Sequence, residues 1–455
     1  MRNILFILLF ISSIVNAQDT LQVPCKTKIN VIDTIYTNSF DTLPQSVLSI
    51  TGHLAIRPRE ERNPRQGKFK YYIQYDTVYS AEQVIKIIDT SYFIHTETVT
   101  GWCDSIIPTV ISIKPQLTGN ATRQADWLDT NRIDLTYMKN VGVIVLKVDW
   151  ATLQPSQNVI DTKYIDAWLS WAERFNKANK LNVRFKLRIV PGVAAPDFVK
   201  KAVGTFVLSG IGYETVAGLQ DRDSNCVKFW EPVYMAYWDN FQRLLAARYD
   251  GNDLIAEVVN SATSTATGES LIRAVSNAGG GLIRKNSYLA AGYTIDKDYA
   301  AVLASIEVMA KYWHRTNVGM AITVWETIDG NRVGKDINRS KAIAEYLCKT
   351  FGSRSVIGNN GLGTPGWEPG GEDYNLGQYF ISLKQQYGAS IYYQTAAPAS
   401  IISSLNGVKG VLDLGLSMRA SLVELPQPPQ TLLKTLSTND LLLYNNRYQS
   451  NSTYQ

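Results

Sequence analysis

Carboxyl groups that follow β-rich runs are the residues best placed to do chemistry in this sequence. Glu269 follows the run 254–260 across a Ser- and Thr-rich loop, as the last residue of Thr267-Gly268-Glu269. Glu326 comes directly after the run 318–325, Glu424 ends the run 417–424, and Asp149 lies near the end of 141–150. Glu368 and Glu372 sit on a Gly- and Pro-rich stretch further on. Two carboxyl groups facing one cleft can divide a bond cleavage, one giving a proton and the other attacking or activating water. Asn260, Asn359, Asn360 and Gln394 stand at the ends of similar runs and can bond hydroxyl groups with both ends of their amides. Trp150, Trp230, Trp325 and Trp367 bring broad apolar faces to the same neighbourhoods.

What must position them is a set of buried strands. Val141 to Pro155, VGVIVLKVDWATLQP, organises the chain: a run too dense in apolar residues for an amphipathic helix, then charge and an aromatic at the loop. A helix follows over about Thr162 to Lys180, with Trp168, Leu169, Trp171 and Phe175 on its apolar side, and then a strand from Val183 to Val190. Strand, helix, strand at this spacing is a βαβ unit and favours parallel pairing. Repeating it predicts strands at 108–115, 141–150, 183–190, 254–260, 318–325, 355–359, 390–394 and 417–424. The expected fold is an α/β, (β/α)8 barrel over 108–430 whose C-terminal strand ends carry the site. The insertion 193–231 adds to that end, and a polar tail, 431–455, reads as a last helix and a disordered end.

The 455 residues include 45% hydrophobic and 19% charged, enough for a sizeable core and unlike a disordered chain. A net charge of +5 over this length, with no basic block, argues against nucleic acid as a partner. Arg2, the apolar run Ile4 to Val15 and Asn16-Ala17 read as a signal peptide over 1–17, which predicts export. The apolar run is short for a membrane span, and no later segment reads as transmembrane. Export permits a Cys25–Cys103 bridge, unpaired thiols being the other reading. The four cysteines and three histidines lack metal-ligand spacing, and no cofactor motif appears, so neither a metal nor a cofactor is expected. Residues 18–107 form a separate β-rich region in which Asp33-Thr34-Ile35-Tyr36, Asp76-Thr77-Val78-Tyr79 and Asp89-Thr90-Ser91-Tyr92 resemble one another, with 57–70 expected as an exposed loop.

Several pieces together resemble bacterial glycoside hydrolases of the clan A type, β-galactosidase-like barrels above all. They are Trp150-(x)3-Gln154-Pro155, Pro191-Gly192 through Pro196, Phe229-Trp230-(x)3-Tyr234, Ala247-Arg248-Tyr249-Asp250-Gly251, Ala291-Gly292-Tyr293-Thr294, Asn359-Asn360-Gly361-Leu362 and Leu422-Val423-Glu424. The resemblance implies cleavage of a β-linked oligosaccharide or polysaccharide by two carboxyl groups, one at the end of strand four and one at the end of strand seven. Glu269 matches the first and is the expected general acid. Strand seven ends in Gln394, which cannot form a glycosyl ester; Glu326 is the preferred partner, with Glu424, Glu368 and Glu372 the other candidates. Asp149, Asn260, Asn359, Asn360, Gln394 and Glu424 would then bind sugar hydroxyls, and the four indoles with Tyr293 would give stacking faces. Two other classes stay open: a glycan-binding protein on a barrel without the nucleophile, and a structural or adhesion component working through the Asp-Thr-x-Tyr region.

Overall fold

The structure, a computed structural model, describes residues 32–37, 54–63, 68–75, 93–97, 112–123, 135–211, 214–215, 218–219, 223–272, 275–425 and 436–451. The expected signal peptide, Cys25, Cys103, the second and third Asp-Thr-x-Tyr motifs and most of the helix expected at 127–139 lie outside them. The chain divides into two units, Met1–Val110 and Ile111–Gln455. In the first, Ile32–Thr37, Leu54–Asn63, Lys68–Tyr75 and Phe93–Glu97 form a four-stranded sheet. Its described pairs are antiparallel. Two of these strands run through the segment expected as a loop, because Leu54–Asn63 pairs back onto Lys68–Tyr75.

The second unit is a (β/α)8 barrel. Its strands are β1 (Gly119–Arg123), β2 (Val143–Asp149), β3 (Arg184–Val190), β4 (Ile255–Val259), β5 (Asn317–Ala321), β6 (Ser355–Leu362), β7 (Ser390–Thr395) and β8 (Leu422–Leu425). They close into one ring in sequence order, every pair parallel. The main helices are α1 (Lys163–Asn179), α2 (Pro232–Tyr249), α3 (Ile295–Tyr312), α4 (Ile337–Phe351), α5 (Glu372–Tyr387), α6 (Gly407–Ser417) and α7 (Thr438–Asn451). Local chemistry marks their ends. Pro232 opens α2, Thr294 caps α3 by accepting from Lys297 N, Asp336 caps α4 by accepting from Asn338 N and Arg339 N, and Gly388 ends α5 at φ 71°. Among the described residues no helix is long and apolar enough to cross a membrane.

Alternation along β2 separates two cores. Val143 and Val145 join Ala121, Ala256, Ala321, Val356, Tyr392 and Leu422 in an inner cluster. Ile144, Leu146 and Val148 join the larger cluster under the helices. Successive side chains of a strand point to opposite faces, and here both faces are covered.

Three strands differ from expectation. The first is Gly119–Arg123, not 108–115, although GNATR carries less β propensity. Pairing with β8 and β2, and the bond of Asn120 N to Asn445 Oδ1 on α7, outweigh composition there. Lys114, inside the expected strand, is instead buried, its ammonium donating to Tyr249 O, Asn252 O, Ile255 O and Thr316 Oγ1 at 2.7–3.2 Å. Strand five stops at Ala321. The residues after it turn into an antiparallel hairpin, Trp325–Asp329 with Arg332–Asp336, around Gly330 at φ 52°. The last strand begins at Leu422, because α6 runs to Ser417.

Candidate active site

The polar residues of the lumen gather around an ion cluster. β3 turns Lys186 and Arg188 inward, two residues apart, and β4 supplies Glu257, the ladder partner of Lys186. β7 supplies Tyr392 and Gln394, and β8 supplies Glu424, the ladder partner of Gln394. Lys186 Nζ lies 2.9 Å from Glu257 Oε1 and 3.1 Å from Glu424 Oε1, all three side chains fully buried. Arg188 Nη2 lies 2.6 Å from the same Glu424 oxygen, while Nη1 donates to Gln394 Oε1 at 3.1 Å. The Lys186 ammonium also lies 3.0 Å from the centroid of the Tyr392 ring. Two cations face two carboxylates, so the cluster is electrically balanced, the condition under which ions survive burial. Burial works against the charge of Arg188, yet Glu424, with Tyr392 and Glu269, holds the guanidinium above its ordinary range. Burial pushes Glu257 up, against the pull of Lys186.

Small residues make the room. A methyl group on Gly319 would run into the Glu257 carboxylate, and one on Gly358 into the carbonyl oxygen and ring of Tyr392.

Glu269 comes to this cluster from the loop after β4. It is half-buried, and its charge is among those that hold Arg188 ionised. Asn360 Nδ2 on β6 donates to Glu269 Oε1 at 3.0 Å, and Tyr392 OH donates to Asn360 Oδ1 at 3.2 Å. Of the expected residues, the structure therefore unites Glu269, Asn360, Gln394 and Glu424. Asp149, half-buried at the end of β2, precedes the helical turn Trp150–Leu153 without capping it by its side chain.

The other expected residues are placed elsewhere. Glu326 is on the hairpin, opposite Lys335 in its ladder, and not at the end of β5. Lys335 in turn pairs with Glu372 at 2.9 Å. Asn260 is fully buried and donates to Ser305 Oγ of α3, and Asn359 donates to Asp373 Oδ1 of α5. Adjacent residues of a strand face opposite ways, so Asn360 and Asn359 cannot both serve the lumen.

The stacking faces are core. Trp150 is fully buried against Tyr234, Trp238 and Phe241, with its indole N–H donated to Gln154 Oε1. Trp230 and Tyr293 pack on each other and on Tyr288, and Tyr293 OH donates to Asp298 Oδ2 at 2.8 Å. Trp367 packs edge-on against Tyr393, and Trp325 is buried. Position after a strand says where an indole sits along the chain, not which side of the barrel wall it fills.

Lys186, Arg188, Glu257 and Tyr392 are absent from the expected site. A signal for them exists. RFKLRIV, IAEVV, SIYYQT and LVEL each place a polar or charged residue inside a strand buried on both faces. With helices covering the outer face, a charge at such a position has to face the lumen. Among the described residues no group of three or more His, Cys, Asp or Glu stands together as a metal site would.

No protein-family model matches the sequence, and no curated protein matches it. Solved structures of similar shape include glycosidases. Endo-glycoceramidase II from Rhodococcus sp., as a lactosyl-enzyme intermediate, is 13% identical, with 70% of this chain and 75% of that chain covered and a TM-score of 0.40. The β-galactosidase of the psychrophilic Marinomonas ef1 is 11% identical over 68% of this chain and 53% of that chain, with a TM-score of 0.38. An endo-β-1,4-glucanase from Xanthomonas axonopodis pv. citri is 12% identical over 73% of this chain and 100% of that chain, with a TM-score of 0.38. At such identities and scores the likeness carries no argument about activity. The chain is similar to these enzymes, and its (β/α)8 architecture stands on its own strand order.

Proposed function

We propose that the barrel mouth takes a β-linked glycan and that the chain cleaves it as a glycoside hydrolase, with Glu269 as general acid. One observation carries this reading: Glu269 is half-buried on the loop after β4 and is held by Asn360 beside a lumen of amide and guanidinium groups. Such a lining suits a ligand made of hydroxyl groups. Cleavage needs a second carboxyl group. Glu424 replaces Glu326 in that role, because it shares Arg188 with Glu269, whereas Glu326 faces Lys335. In the proposed reaction Glu269 protonates the leaving oxygen, water adds to the anomeric carbon, and the proton of that water passes to Glu424. The amide at Gln394 rules out a glycosyl ester at that position. The start of the sequence, Arg2 to Ala17, supports export, and a mature N-terminus at Gln18 in secreted material would bear it out.

A second reading is glycan binding without cleavage. The observation that favours it is that Glu424 is fully enclosed and gripped by two cations. A panel of aryl glycosides, hydrolysed by the wild type and by Glu269→Gln, separates the two. The expected result is a loss of at least about 100-fold in the variant, the scale of a lost general acid. Equal activity in both proteins would remove Glu269 from the mechanism. An inert wild type that is still retarded in a glycan-containing gel would favour binding.

A further inference from the structure

We propose that Asn360 and Tyr392 are positioning residues that decide which oxygen of Glu269 carries the proton, an inference that rests on reading Glu269 as an acid. A primary amide has one accepting end and one donating end. Tyr392 OH occupies the accepting end of Asn360 at 3.2 Å, and the donating end reaches Glu269 Oε1 at 3.0 Å. Turning the amide over would set its oxygen against the Glu269 carboxylate, so the ionised Glu269 meets an N–H at Oε1. An oxygen that receives an N–H bond is the carbonyl-like oxygen of a carboxyl group. The transferable proton therefore sits on Oε2.

The donor at the start of this relay is dependable. Burial holds the Tyr392 phenol well above its ordinary range, with Glu424, Glu257 and Glu269 adding to the effect and Arg188 opposing it. It therefore stays an O–H while the barrel is folded. The ring is fixed by the Lys186 ammonium at its face and fits because residue 358 is glycine. Asn360 and Tyr392 both lie on strands, whereas Glu269 lies on a loop. The relay thus ties a loop carboxyl to two strands of the barrel.

Two readouts test the relay separately from the reading it rests on. The first is a pH titration of protein carrying 13C-labelled glutamate carboxyls, with the Glu269 resonance assigned as the one missing from Glu269→Gln. An N–H donor favours the ionised carboxylate, so its removal raises the titration midpoint. Tyr392→Phe keeps the ring and should raise the midpoint by about half a pH unit, and Asn360→Ala by more, the scale of one hydrogen bond. The second readout is hydrolysis: Tyr392→Phe should lower kcat about tenfold with KM within about twofold, and the basic limb of its pH profile should move up with the midpoint. Midpoints within about 0.2 unit of wild type in both variants would overturn the relay, whatever happens to activity. A fall in kcat with an unmoved midpoint and limb would also overturn it, since general loosening acts that way. If the wild type hydrolyses nothing, the acid reading fails, and the midpoint shift alone decides whether the relay governs Glu269.

Discussion

Replacing Glu424 by leucine puts the balance of charge inside the barrel to the test. One Glu424 oxygen lies 3.1 Å from Lys186 Nζ and 2.6 Å from Arg188 Nη2. At an effective dielectric constant of about 20 these contacts are worth roughly 5 and 6 kcal/mol before desolvation is charged against them. Desolvation costs several kcal/mol per ion and is already met in the folded wild type. Glu424→Leu leaves Lys186 with Glu257, and leaves Arg188 with the amide oxygen of Gln394 and the more distant charge of the half-buried Glu269. One buried positive charge then lacks the carboxylate it touched, and the expected loss is about 4 kcal/mol of unfolding free energy. The assay is urea denaturation followed by tryptophan fluorescence. Nine of the ten indoles lie in 111–455, so the signal reports the barrel. Arg188→Met alone should also destabilise, by leaving two carboxylates to one ammonium. The double variant restores one cation to one carboxylate, so its loss should fall short of the sum by at least about 2 kcal/mol. Losses that add to within about 0.5 kcal/mol would refute the reasoning, because they would mean that the two charges do not sense each other.

Two further outcomes follow from the same packing. Gly358→Ala drives a methyl group into Tyr392 and should cost about 2–3 kcal/mol in the same assay, whereas Gly142→Ala, with open space around it, should be close to neutral. Burial raises Asp298 from 3.8 to about 7, with Tyr293 and Arg339 acting in the opposite direction. Between those two values the folded chain keeps a proton that the unfolded chain has released, so this stabilising contribution is complete below pH 3.8 and is lost as pH rises through about 7. Asp298→Asn removes it. The stability of the variant relative to wild type should therefore rise by about 2–4 kcal/mol from pH 4 to pH 8, and a constant difference across that range would count against a buried, titrating carboxyl.

The positions of the strands were legible where burial on both faces wrote a dense apolar run, as in Val143–Asp149 and Arg184–Val190. They were not legible at Gly119–Arg123, a strand made by its neighbours rather than by its own residues. The hairpin after β5 did carry a signal, Gly330-Asn331, but the apolar run ahead of it invited a longer strand. Within the site, Glu269 stood out as a carboxyl on a loop, and Asn360 and Gln394 as amides at strand ends.

The sequence by itself determined the alternation of strands and helices, and with it the barrel, because hydrophobic period is a local property of the chain. It also determined that charges would lie inside the strands that form the lumen. Which of those charges meet was decided only by closure of the ring. Glu257, Lys186 and Glu424 come from three strands up to 238 positions apart and touch because eight parallel strands bring them to one axis. Packing beyond the strands set Trp150 against Tyr234, Trp230 against Tyr293 and Trp367 against Tyr393, and the pleat of β6 turned Asn359 toward α5 and away from Asn360, contacts between distant parts of the chain that no local pattern records.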